Sequence, residues 1–177
     1  MSIEAQPYRW QLPAVSPQRD PWSCAPNSAT RLLRFYGHLV TYPQVKVLTL
    51  QHLSQPLTGT PPRVLQRVLQ HWEQQRVRLQ HQASLPELQA LLRKGQPALA
   101  LVQVGQRYSL PLLHWVTVTG YDPQKQLIFY TDTDDRAYAM SYAQFQRQWQ
   151  LSPTSDPVWL ILRSQGVYPN TVIWIER

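Results

Sequence analysis

The chain has 177 residues, a formal net charge of +7, one cysteine, and 16 prolines against six glycines. That length suits one well-buried core and a single domain over 1–177. One cysteine excludes an internal disulfide framework and a multi-cysteine zinc site, and no apolar run approaches the roughly twenty residues of a membrane-spanning helix.

Aromatic side chains make up 11% of the chain and recur from end to end, which argues against disorder. Basic residues are scattered singly and accompany no recognised nucleic-acid motif, so nucleic acid is not expected as a partner. The opening MSIEAQPYRWQLP lacks the basic start and apolar core of a secretory signal. Together with the lone cysteine, this points to a soluble protein of a reducing, cytoplasmic compartment.

Residues 1–22 carry prolines at 7, 13, 17 and 21 and read as an extended arm. A helix is then expected from Ser23 as N-cap, with Pro26 in the first turn and Gly37 just past the end. Ala29, Leu32, Leu33 and Tyr36 form an apolar stripe at helical spacing, while Arg31 and Arg34 suit the carboxyl end of the dipole. Cys24 therefore falls at the positive end of a helix, where unpaired N–H groups stabilise an anion.

A short element over Pro43 to Leu50 follows. A clearer helix opens with Thr60 as cap and Pro61 at its first position, its apolar face running through Val64, Leu65, Val68, Leu69 and Trp72. Val77 and Leu79 alternate with polar neighbours as a short strand. Ser84, Leu85, Pro86 and Glu87 form a capping box for a helix that stops at Gly95.

The second half reads as sheet. Ala98 to Val104 is apolar enough to be covered on both faces, and His114 to Tyr121 and Leu127 to Thr131 form a hairpin across the turn Asp122-Pro123-Gln124-Lys125. A capping box at Ser141 to Gln144 starts a short helix through Phe145 and Trp149, and Val158 to Leu162 and Thr171 to Ile175 read as closing strands. Helices first and a mostly antiparallel sheet afterward make an α+β fold.

A cysteine nucleophile needs a base, a group that orients the base, and donors for an oxyanion. His114 opens the strand His-Trp-Val-Thr-Val-Thr-Gly-Tyr, with the side chains of His114 and Trp115 on opposite faces. Counting outward from the turn, one register sets Asp132 opposite His114, another sets Asp134 there, and the register between them sets Thr133. Hairpin geometry thus brings a carboxylate beside this histidine in two of the three registers, without choosing which one.

The run Gln18-x5-Cys24-Ala-Pro-x-Ser-Ala, then His114-Trp-Val-Thr-Val-Thr-Gly-Tyr-Asp, then Tyr130-Thr-Asp132-Thr, resembles the papain-like cysteine peptidases. It is most similar to the bacteriocin-processing, double-glycine leader-peptidase group and its stand-alone relatives. The resemblance implies a papain-like fold and a thiol hydrolase acting on a peptide or isopeptide bond without a cofactor. Cys24 would be the nucleophile, His114 the base, Asp132 the orienting carboxylate and Gln18 the oxyanion-hole side chain.

Three positions depart from the pattern. Ala25 stands where glycine is usual, which sets a methyl beside the nucleophile, and Thr131 and Thr133 flank the aspartate where Asn and Pro are common. The alternative reading is a papain-like domain that grips a partner segment without turnover. His38, His52, His71 and His81 fall on different elements without ligand spacing, so no metal is expected. Trp22 is a candidate for lining a substrate groove.

Overall fold

The computed structural model describes residues 7–15, 17, 23–52, 59–107, 110–152 and 155–177. Helix α1 (Cys24–Phe35) starts after Ser23 and ends before Gly37, whose φ of +91° is the left-handed value glycine tolerates. Ser23 holds the N-cap position, but its hydroxyl does not cap; it meets the Tyr42 hydroxyl at 2.9 Å.

Amphipathicity understates this helix, because every residue from Cys24 to Leu33 is buried. Ala25, Ala29, Leu32 and Leu33 enter the apolar core. Cys24, Ser28 and Arg31, spaced i, i+4 and i+7, form a second and polar stripe that is covered as well.

Helices α2 (Tyr42–His52) and α3 (Pro62–Glu73) pack on α1. Helix α3 begins one residue later than the sequence pattern suggests. Pro61 is extended, at φ −61° and ψ 150°, and serves as N-cap in place of Thr60. A residue preceding proline is kept out of the α region, and Pro61 precedes Pro62.

Among the described residues, seven strands form one sheet: β1 (Tyr8–Arg9), β2 (Val77–Gln80), β3 (Ala98–Arg107), β4 (Leu110–Asp122), β5 (Leu127–Thr131), β6 (Ala137–Ser141) and β7 (Val172–Ile175). The order is β2-β7-β3-β4-β5-β6, with β1 added to β4, and every pairing is antiparallel. Along β3, Leu99 and Leu101 face the core shared with α1 and α3, while Ala98, Ala100 and Val102 face a second core. Helices α4 (Leu85–Arg93) and α5 (Tyr142–Trp149) cover that second face. Ser84 and Glu87 make both halves of the capping box of α4.

The segment expected as a strand over Val158 to Leu162 is instead helix α6 (Asp156–Ser164). Ser155 is its N-cap and Pro157 lies in its first turn. Val158 and Leu162, four residues apart, are the buried positions, and Leu160 stays 71% exposed. A short apolar run does not by itself distinguish strand from helix; here the proline inside the first turn is the better signal. Strand β6 went unanticipated because Ala137, Tyr138 and Ala139 are exposed and only Met140 is buried, which leaves little alternation to read.

Strand β1 belongs to the amino-terminal arm. Tyr8 pairs with Tyr121 and Arg9 with Gly120, and the Trp10 N–H donates to the Thr119 carbonyl at 2.8 Å. The Tyr8 hydroxyl and the Trp10 indole N–H donate to the carbonyls of Arg93 and Leu92 at the end of α4. A Cβ on Gly120 would collide with the Tyr8 carbonyl oxygen and lie 2.6 Å from the Arg9 Cα. Gly120→Ala is therefore expected to lift the arm off β4 and to cost about 1–3 kcal/mol. The measurements are the thermal midpoint and the rate of tryptic cleavage after Arg9; an unchanged midpoint with Arg9 still protected would contradict the packing.

Candidate active site

Polar contacts seat α1 against β4. The Ser28 hydroxyl donates to the Trp115 carbonyl at 3.2 Å, and the buried Trp115 indole N–H donates to the Thr60 carbonyl at 2.9 Å. With Trp115 fixed on both sides, the preceding residue is held beside the amino-terminal end of α1. There Cys24 lies within the electrostatic and hydrogen-bonding reach of His114. Its Nε2–H donates to Asp132 Oδ1 at 2.6 Å, which leaves Nδ1 as the ring nitrogen for the thiol.

Hairpin geometry decides how Asp132 gets there. At the turn the closing pair is Asp122 with Leu127, anchored by Asp122 Oδ1 accepting from the Gln124 and Lys125 N–H groups at 3.0 Å. A bulge between Val118 and Gly120 then shifts the register, so that Thr117 pairs with Thr131. Continued straight, that register would bring Asp134 opposite His114. Strand β5 stops at Thr131, however, and the chain turns, with Asp132 N–H bonded to the Arg136 carbonyl and Asp135 N–H to the Asp132 carbonyl, both at 3.1 Å. Asp132 is thereby the carboxylate that meets His114. Asp134 faces outward, accepting from the Tyr138 hydroxyl at 2.5 Å and the Arg136 N–H at 3.0 Å.

Electrostatics follow from these contacts. Burial works to lower the His114 pKa, but the bonds to Asp132 and Cys24, with the charges of both, raise it to about 10. For Asp132, burial acts upward and is outweighed by the bond to His114, its charge and the Thr133 N–H at 2.6 Å, so the carboxyl is held below its ordinary value. The imidazolium is thus stabilised from two sides. Cys24 is a free thiol, only 9% exposed.

The Ala25 methyl has no accessible surface and belongs to the apolar core with Ala29 and Leu32. Gln18 and Trp22 lie outside the described residues. The same holds for the side chain of His52. His38 meets Glu73 at 2.7 Å, the His71 ring packs edge-on against Trp72, and His81 Nδ1 meets the Thr171 hydroxyl at 2.9 Å. Among the described residues no group of three or more His, Cys, Asp or Glu side chains is placed to hold a metal. Nor, among them, is any helix long and apolar enough to cross a membrane.

Arg31 and its partner Asp135 escaped the sequence reading of this region. Arg31, expected to complement the helix dipole, is fully buried and donates from Nη2 to Asp135 Oδ1 at 3.0 Å. The available signal was its spacing: positions 24, 28 and 31 share one helical face.

Residues 4–156 match the model of the Peptidase_C39 like family. The chain belongs to this family of papain-like peptidases. Solved structures agree on the C39-like fold. A C39-like peptidase from Bacillus anthracis superposes with a TM-score of 0.70 at 13% identity, covering 98% of this chain and 99% of that one. The peptidase domain of Streptococcus ComA, a bi-functional ABC transporter of a quorum-sensing pathway, gives 0.63 at 17% identity, with 96% and 99% covered. A double-glycine-motif protease from an AMS/PCAT transporter, solved with a leader peptide, gives 0.62 at 12% identity, with 98% and 99% covered. A comparison with curated proteins returned no match.

The raised His114 value has a definite sign. Unfolded, the imidazole titrates near 6.5; folded, it holds its proton to about 10. Its contribution to stability is complete below 6.5 and is lost as pH rises toward 10. Urea unfolding of the parent and of His114→Gln at pH 6, 8 and 10 is expected to show the advantage of the parent shrinking at each step. A difference that stays constant across that window would contradict the imidazolium assignment.

Proposed function

We propose that this C39-like protein is a single-domain thiol hydrolase that cuts a peptide or isopeptide bond through Cys24, His114 and Asp132. The observation that carries the reading is the unbroken line from the Cys24 thiol through the His114 ring to Asp132 Oδ1, 2.6 Å from Nε2. Family membership supports it, and the leader peptide bound to one neighbour of the same fold supports a peptide as substrate. A reducing, cytoplasmic setting would keep the thiol free.

In the resting site the Cys24 proton resides on His114, between thiolate and Asp132. Sulfur attacks the scissile carbonyl carbon, and the charge that develops on oxygen is met by the Cys24 backbone N–H at the start of α1, with the Gln18 amide as the second donor. Pro26 brings no N–H of its own, so the free donors of this helix start gather at its very first residues. His114 gives its proton to the departing amine, leaving a thioester. Acylation also removes the thiolate charge and bond that help hold the His114 proton. The ring then becomes the base that takes a proton from water, and hydrolysis of the thioester restores the pair. Asp132 stays ionised throughout and fixes the ring orientation.

An epoxysuccinyl peptide tests this without knowledge of the natural substrate. Parent protein should gain one adduct on Cys24, Cys24→Ala none, and His114→Ala should react at least about 100-fold more slowly at pH 6. A cleavable peptide library should lose about 1,000-fold or more of its turnover in Cys24→Ala. Peptides that bind and are never cut, together with labelling indifferent to His114, would sink the hydrolase in favour of a binding module.

A further inference from the structure

The turn that carries Asp132 is joined to α1 by one carboxylate. Asp135 Oδ1 accepts from Arg31 Nη2 at 3.0 Å and from the Val15 backbone N–H at 3.1 Å. Its own N–H bonds the Asp132 carbonyl at 3.1 Å. Asp135 adopts a φ of +63° there, a left-handed value to which aspartate is better suited than most residues. Three segments therefore converge on this side chain: the helix that begins at Cys24, the turn that presents Asp132, and the arm that runs on toward position 18.

The guanidinium end of the contact is unusual. Arg31 is fully buried, yet among the described residues its Nε and Nη1 meet no hydrogen-bond partner. A buried ion pair with donors left over is a poor source of stability, and apolar side chains of like volume commonly serve as well. What such a pair supplies is direction. Cys24 and Arg31 share one face of α1, so a shift of Arg31 relative to the turn is carried along a rigid helix to the sulfur.

Building on the hydrolase reading above, we propose that Arg31 and Asp135 are a positioning pair that sets the distance between Cys24 and the His114–Asp132 couple, although neither is bonded to Cys24 or His114. Arg31 also lies within the electrostatic reach of Asp132 and Asp134 as well as Asp135. Loss of the pair loosens the geometry and weakens that field together.

Because Cys24 is the sole cysteine, alkylation by iodoacetamide reads the site directly. The rate is followed from pH 5 to 9, well below the thermal midpoint, for parent, His114→Ala, and the double variant Arg31→Met with Asp135→Asn, which removes both charges and strands neither. The double variant is expected to stay folded by circular dichroism, to lose about 10- to 100-fold of the rate at pH 6, and to shift its pH profile toward that of His114→Ala. A folded double variant with the parental profile overturns the proposal. If parent and His114→Ala already coincide, it is the hydrolase reading that fails, a distinct result. Should the double variant not fold, Asp135→Glu decides: it keeps the charge and lengthens the link by one carbon. A slower, shifted profile supports the positioning role, and the parental profile refutes it.

Discussion

Helix α1 is buried from Cys24 to Leu33, where a polar group is costly unless something meets it. Its polar stripe is answered residue by residue: Cys24 by His114, Ser28 by the Trp115 carbonyl, Arg31 by Asp135. The Arg31 end of the charged pair is fully buried, so withdrawing Asp135 would leave its charge uncompensated and destabilise the docking of α1. The adjacent stripe of Ala25 and Ala29 allows the close approach, since larger side chains there would hold the helix away from β4.

The sheet makes this docking possible by being covered on both faces. Helices α1 and α3 share one core with it and α4 and α5 another, so β4 is flanked and stiff where His114 leaves it. At the far end of β4, the bulge beside Gly120 has two effects. It shifts the register of β5, and the missing side chain lets β1 lie against the strand. The arm then runs back along the Asp132–Arg136 turn, where Val15 meets Asp135 and Arg34 bonds the Ala14 carbonyl. The irregularity of one strand therefore governs both the turn and the arm.

Much of this was legible in the sequence. Proline and glycine marked the limits of α1, and the box of Ser84 and Glu87 marked α4, because those signals act locally. The residues that come together around His114 were visible as motifs and in a resemblance, yet hairpin counting could not choose between Asp132 and Asp134. That choice depends on a bulge and on where β5 ends, both of which are tertiary in origin. Arg31 was misread for a similar reason. A charged residue near a helix end usually faces water, and only the approach of Asp135, 104 positions away, makes its burial possible. Val158 to Leu162 failed at the opposite scale, since five apolar residues fit either period and Pro157 decided for helix.

The order of the parts along the chain has a temporal consequence. Cys24 leaves the ribosome long before His114 and Asp132, and at about 5–20 residues per second the interval is on the order of ten seconds. Over that time the thiol has neither its histidine partner nor the turn that aligns it. These contacts span most of the chain and close late, since distant segments must first be brought together. The nascent protein thus carries its sulfur through synthesis without those contacts, and they arrive only with the completed sheet.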